Sequence, residues 1–128
     1  MTPTALVIDD RPINLDALAA LLRREGVATI LLESPRTLEA VLEQAGPIDV
    51  IFLDLEFPNY SGFDILATLQ AHPRLQGVPV VAYTVHVSEL NEARMAGFHS
   101  FIGKPLDVSQ FPDQLRRILK GERVWEVR

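Results

Sequence analysis

The chain has no cysteine, which excludes disulfides, thiolate catalysis and cysteine-ligated zinc and suits a reducing compartment. No apolar run approaches the roughly 20 residues of a membrane span. The opening MTPTALVIDD lacks a basic segment followed by a long apolar stretch, so a secretory signal is not expected. Basic charge is also scarce: 12 Lys and Arg stand against 17 Asp and Glu, for a net charge of −5. No basic stripe with interleaved aromatics is present, so direct nucleic-acid binding is not expected either. These absences predict a soluble cytoplasmic protein that does not engage a membrane. What is present is 128 residues, 48% of them hydrophobic, enough to bury the core of one domain without staples and too few to add a separate output module.

Short apolar runs alternate with amphipathic segments along the chain. TALVI, VATILL, DVIFL, VPVVAY and HSFI are rich in β-branched or aromatic residues and apolar at consecutive positions, as strands covered on both faces are. Between them the period becomes helical. Leu38, Val41, Leu42 and Ala45 form a stripe ended by Gly46-Pro47, and Phe111, Leu115, Ile118 and Leu119 form another closed by Gly121. Ile13, Ala17, Leu18 and Leu21 suggest a third, stopped at Gly26. Ser61 is placed to cap a helix carrying Leu66 and Leu69, and Ser88 or His86 opens one through Leu90 and Ala93 to Gly97. Five strand-then-helix repeats with short connections predict an α/β fold, a doubly wound (βα)5 three-layer sandwich around a parallel sheet, because parallel neighbours need crossovers. Residues 1–121 form this domain, and 122–128 are a C-terminal tail in which Trp125 either packs back or marks a partner contact.

The polar residues that interrupt this pattern fall at one kind of place. Asp9 and Asp10 end the first strand, Asp54 the third and Thr84 the fourth, and Lys104 follows the fifth. In open parallel sheets, ligands bind beyond the carboxyl ends of the strands where strand order reverses. For the order 2-1-3-4-5 that point lies between the first and third strands, so Asp9, Asp10 and Asp54 share a crevice flanked by Thr84 and Lys104. Three carboxylates so placed repel one another unless a cation intervenes. Magnesium suits the site, since it takes one or two carboxylates and keeps several waters. Such a centre binds phosphate through the metal's open positions, with Lys104 as a second positive charge. Asp54 is then a candidate nucleophile that would form an acyl phosphate, with both cations spreading the charge of the transferring group.

Taken in order, the acid pair in VIDDRP, the Asp-x-x-x-Pro-x-x-x-Gly run DLEFPNYSG, then VAYT and FIGKP, resemble the motifs of a response-regulator receiver domain. The resemblance runs from about Ala5 to Leu119 and implies the flavodoxin-like architecture of the chemotaxis response regulator. It implies that Asp54 is the phosphoacceptor, Asp10 a direct magnesium ligand, Asp9 a ligand mainly through water, and the Glu56 backbone carbonyl a further ligand. Thr84 would bond a phosphoryl oxygen, Lys104 would pair with the phosphate, and a cis Lys104-Pro105 peptide would aim the lysine. Phe101, three positions before the lysine, matches the family's switch aromatic. It is expected to swing inward as Thr84 moves toward the phosphate, changing the face built from the fourth helix, fifth strand and fifth helix. The implied partners are a histidine kinase or histidine phosphotransfer protein, a downstream target protein, and a second copy through that face. The implied chemistry is self-catalysed gain and loss of a phosphoryl group, without enzymatic turnover of a separate substrate.

The chain departs from the family pattern at Val85, where alanine or another small residue is usual and a valine would crowd Asp54. Glu56 and His86, two places beyond the aspartate and the threonine, hold positions the family uses to tune dephosphorylation. Arg11 either tempers the field of the acid pair or lies in solvent. Singly, these residues have plainer readings: the acid pair a turn before Pro12, Thr84 a cap, Lys104 a loop charge, Phe101 core. Their joint placement favours the site. His72, His86 and His99 share no metal-ligand spacing. Arg116, Arg117 and Lys120 read as a solvated helix face or as a contact for Glu89 and Glu92 of a second copy. Competing functions are a pseudo-receiver that binds partners without phosphorylation, a magnesium-dependent phosphatase and a flavin carrier. The phosphatase would want Asp-x-Asp where Asp54-Leu55-Glu56 stands, and a cap domain as well. The flavin carrier would need a phosphate-binding loop where DDRPIN repels phosphate.

Overall fold

The apolar runs become five parallel strands, β1 (Thr4–Ile8), β2 (Ala28–Leu32), β3 (Val50–Asp54), β4 (Val80–Thr84) and β5 (Ser100–Gly103). The computed structural model describes residues 2–126. Every residue of β3 and β4 is buried, which is why those runs show no alternation, whereas β2 at one edge is only half covered. The sheet order is β2-β1-β3-β4-β5-β6, so the expected 2-1-3-4-5 arrangement holds and is extended by a short strand, β6 (Trp125–Glu126), parallel to β5. The tail segment 122–126 thus joins the domain; Val127 and Arg128 lie outside the described residues.

The crossovers are α1 (Pro12–Arg24), α2 (Leu38–Gln44), α3 (Gly62–Ala71), α4 (Leu90–Ala96) and α5 (Phe111–Leu119). Successive strand residues point to opposite faces, and this splits the core in two. Leu6, Ile8, Ile51, Leu53, Ala82 and Phe101 meet Leu38 and Leu42 of α2, Leu66 and Leu69 of α3, and Ala93 of α4. Val7, Val50, Phe52, Val81, Tyr83 and Ile102 meet Leu15, Leu18 and Leu22 of α1 and Phe111, Leu115 and Ile118 of α5. Each fully buried Leu, Ile or Phe contributes about 1.5–3 kcal/mol, so both layers are needed to hold the strand ends in register.

The expected stripe of α1 is corrected. Ile13 and Ala17 are exposed and Leu21 is half-buried, while Leu15, Leu18, Ala19 and Leu22 face the sheet. Those four also fall at i, i+3, i+4 and i+7, so two apolar stripes compete on one helix, and the one aligned with the sheet is buried. The helix starts fit expectation better. The Ser61 hydroxyl accepts from the Phe63 amide at 3.2 Å to cap α3. His86 precedes a single 3-10 turn, Val87–Glu89, that leads into α4.

Candidate functional site

The order reversal falls between β1 and β3, as expected, and the acids gather there. Asp9 is fully buried, Asp10 half-buried and Asp54 buried. One carboxylate oxygen from each lies within 4.8 Å of the other two. The Asp9 carboxylate is held on all sides. Its Oδ1 accepts from the Arg11 amide at 2.9 Å, and its Oδ2 accepts from the Tyr83 phenol at 2.9 Å and from Lys104 Nζ at 3.2 Å. Lys104 Nζ also stands 3.5 Å from Asp54 Oδ1 and lies 4.4 Å from the Tyr83 ring centre, so the ammonium bridges two acids above an aromatic face. The Lys104 amide donates to the Thr84 carbonyl at 2.9 Å, and the Lys104-Pro105 peptide is cis.

Burial pushes the Asp54 carboxyl up to about 6, with Lys104 opposing the rise and Asp9 adding to it. Burial, and then the Asp9 charge, also push the Tyr83 phenol upward, which keeps it a protonated donor to Asp9. The site is therefore an acid trio in which one carboxyl resists ionisation and another is already engaged by three donors.

The loop after Asp54 is drawn tight by a close approach at Gly62. A Cβ there would lie 2.7 Å from Leu55 Cα and 3.2 Å from the Asp54 carbonyl oxygen, so glycine lets the start of α3 press against the strand end that carries Asp54. Glu56 pairs with Ser61 in an isolated bridge within this loop, and its side chain reaches His86 at 2.7 Å across the mouth of the site. Asp10, Arg11, Asp54, Glu56, Val85 and Lys104 are among the walls of a cavity of about 600 Å³. Val85, 57% exposed, stands between this cavity and an apolar groove of about 500 Å³ lined by Leu18, Leu21, Pro105, Leu106 and Val108. Ala17, exposed and outside the core, lines this groove as well.

Asp9, Asp10, Asp54 and Lys104 are brought together, with Glu56 and Arg11 on the wall. Arg11 acts on Asp9 through its amide, and its side chain is exposed at the rim. Thr84 is set one step back: it is fully buried and its hydroxyl accepts from the His86 amide at 3.1 Å. Phe101 lies inside the core, with its amide donating to the Val124 carbonyl at 2.8 Å. Tyr83 was not singled out from the sequence. The available signal was a phenol within a strand buried on both faces, which must find an acceptor.

A doubly wound parallel sheet with an acid trio at its switch point and a lysine across from it defines a narrow class of α/β domain. The family model of the response regulator receiver domain matches residues 5–116, and the chain belongs to that family. It is 28% identical over 122 residues to the polar-differentiation response regulator DivK of Brucella ovis, which covers 93% of this chain and 98% of that one. It is 32% identical over 120 residues to the sensory transduction protein RegX3 of Mycobacterium bovis, covering 91% of this chain but 51% of the relative. Among solved structures, chemotaxis response regulator CheY4 of Vibrio cholerae matches with a TM-score of 0.81 at 20% identity, over 92% of this chain and 99% of that one. A CheY-like receiver domain from Methylobacillus flagellatus matches with the same TM-score at 23% identity, over the same shares of the two chains. The fold is thus the flavodoxin-like receiver fold. No helix among the described residues is long and apolar enough to cross a membrane.

Proposed function

We propose that the chain is a cytoplasmic phosphoacceptor in a two-component or phosphorelay system, taking a phosphoryl group from a phosphohistidine onto Asp54 and passing the change to its α4-β5-α5 face. The observation that carries this reading is the buried Asp54 carboxylate inside the acid trio with Lys104 Nζ at 3.5 Å. An Asp54 oxygen attacks phosphorus, the phosphorus–nitrogen bond breaks, and the leaving imidazole keeps the electron pair. The product is an acyl phosphate with no change in oxidation state. Lys104 is placed to follow the charge from the carboxylate to the phosphoryl oxygens, and leaving Asp9 would cost it little because the Tyr83 phenol and the Arg11 amide remain on that acid.

The donor set fits a hard divalent cation: three converging carboxylates, one of them held largely protonated by burial below about pH 6. Asp10 and Asp54 would hold magnesium directly, together with the Glu56 backbone carbonyl, and Asp9, already saturated with donors, would act mainly through water. When bound, the metal supplies the positive charge that lets Asp54 ionise and that neutralises incoming phosphate. The apolar groove beside Val85 and Pro105 suits the helix of a histidine kinase or histidine phosphotransfer protein presenting its phosphohistidine at the cavity mouth. After transfer, the Thr84 hydroxyl, an acceptor for the His86 amide, donates its proton to a phosphoryl oxygen, and the shift passes through β4 to Phe101 and the output face, where a target protein or a second copy would read it.

The test is incubation with acetyl phosphate and magnesium, with Asp54→Asn as the control. A single acid-stable, base-labile phosphoryl adduct confined to the wild type is expected. A wild type that binds magnesium but forms no adduct would instead be a phosphorylation-independent interaction module, and the reading would fall.

A further inference from the structure

The tail segment reaches all three elements of the α4-β5-α5 face. It contacts β5 through its backbone, in the pairings Phe101–Trp125 and Ile102–Glu126 and in the bond from the Phe101 amide to the Val124 carbonyl at 2.8 Å. Val124 is buried, and its amide donates to Ser100 Oγ at 3.0 Å. Toward α4, the Arg94 guanidinium lies 4.7 Å from the centre of the Trp125 ring. Toward α5, Glu126 accepts from Gln114 at 2.9 Å and from both terminal nitrogens of Arg117, at 2.6 and 3.0 Å. Two adjacent tail residues thus take up one cation from each flanking helix, while the strand between those helices loses its free edge. Another protein that used this face would have to displace the tail.

The strap is also in line with the acid site. Asp54 pairs with Tyr83, Tyr83 with Ile102, and Ile102 with Glu126, forming one row straight across β3, β4, β5 and β6. The next row is Leu53, Ala82, Phe101 and Trp125. At about 4.8 Å per strand, Glu126 lies only about 14 Å from Asp54 along continuous hydrogen-bonded backbone. Trp125 packs on the core cluster that contains Phe101, so any displacement of Phe101 changes the seat of the tail. A ladder of two residues with half-exposed side chains belongs to the low-stability end of a fold, where a modest bias is enough to open it.

We propose that residues 122–126 are a regulatory strap, closed on the α4-β5-α5 face in the resting protein and released when Asp54 carries a phosphoryl group. The proposal rests on the reading of Asp54 as phosphoacceptor. The coupling is reciprocal: whatever factor a phosphoryl group applies to strap opening, opening applies to phosphoryl-analogue affinity.

The experiment uses the full chain, beryllofluoride with magnesium as an equilibrium phosphoryl mimic, and acetyl phosphate with intact mass as the measure of Asp54 loading. Loading is expected to lower hydrogen-exchange protection of the Phe101 amide at least fivefold and to shift the emission of Trp125, the only tryptophan, to the red. The Arg94→Ala/Glu126→Ala variant, altered only at solvent-accessible tail anchors, is expected to bind beryllofluoride more tightly, by up to the same factor. Protection that is unchanged or increased in a protein shown by mass to be loaded overturns the strap and leaves the phosphoacceptor reading standing. Failure to load at all, by either reagent, overturns both.

Discussion

Asp54→Asn is expected to stabilise the protein at neutral pH when no divalent ion is present. The wild-type carboxyl is raised from 3.8 to about 6, chiefly by burial. The folded state therefore holds this proton more tightly than the unfolded chain does. Its contribution to stability is fully present below about pH 3.8 and is lost as pH rises through about 6. At about 1.36 kcal/mol per pKa unit, the loss approaches 3 kcal/mol. The attraction of Lys104 at 3.5 Å is already contained in that value. Asparagine keeps the shape and removes the charge but replaces one accepting oxygen by a donating NH2, so the expected net gain at about pH 7.5 is about 1–2 kcal/mol. That corresponds to a rise in Tm of about 3–8 °C for a domain of this size. The assay is thermal and urea unfolding of both proteins in a chelator, from about pH 4.5 to 8. The difference should grow from the acid end of that range to about pH 6 and then level off, and titrating magnesium should close it by stabilising the wild type alone. A ligand at 100 times its Kd contributes about 2.7 kcal/mol, the same size as the strain it would relieve. A difference that does not change with pH, or an asparagine variant less stable than wild type at about pH 7.5 in chelator, would refute the argument that burial of Asp54 drives cation binding.

Three further outcomes are expected. Tyr83→Phe deletes one of the donors to the buried Asp9 carboxylate and should cost about 1–3 kcal/mol in urea unfolding while leaving the adduct on Asp54 able to form; unchanged stability would mean that the phenol is not satisfying Asp9. Gly62→Ala places a methyl 2.7 Å from Leu55 Cα, so the backbone must shift. A loss of about 1–3 kcal/mol with slower phosphorylation by acetyl phosphate is expected, and wild-type values in both assays would show that the close approach has no role. Val85→Ala clears the wall between the acid cavity and the apolar groove and should speed the reaction with acetyl phosphate several-fold, about 1 kcal/mol in the barrier. An equal or lower rate would remove crowding as the consequence of a valine at this position.

What could be read from the sequence, and what could not, follows from how far apart the interacting groups lie. Parallel strands covered on both faces leave continuous apolar runs, so β1, β3, β4 and β5 are visible in one dimension, and an acid ending such a run is conspicuous because nothing local explains it. Asp9, Asp10 and Asp54 therefore announced themselves. The α1 face did not, because two stripes at helical spacing overlap and only the sheet decides between them. Tyr83 was hidden for another reason: its acceptor is 74 residues away, and a tyrosine in a strand reads as core until the acid opposite it is known. Thr84 was visible as a strand-end hydroxyl, but the bond it accepts from the His86 amide two residues on was not. The tail is the extreme case. Two strand residues carry no period, and Trp125 and Glu126 become meaningful only beside Arg94 and Arg117, which belong to different helices. A site assembled from unusual residues can be inferred from their positions, whereas a strap assembled from ordinary ones is defined only by the surface it covers. That surface is the α4-β5-α5 face, to which the receiver reading assigns the output. The acid site and the tail are therefore two ends of one mechanical row, and a change at either end should be detectable at the other.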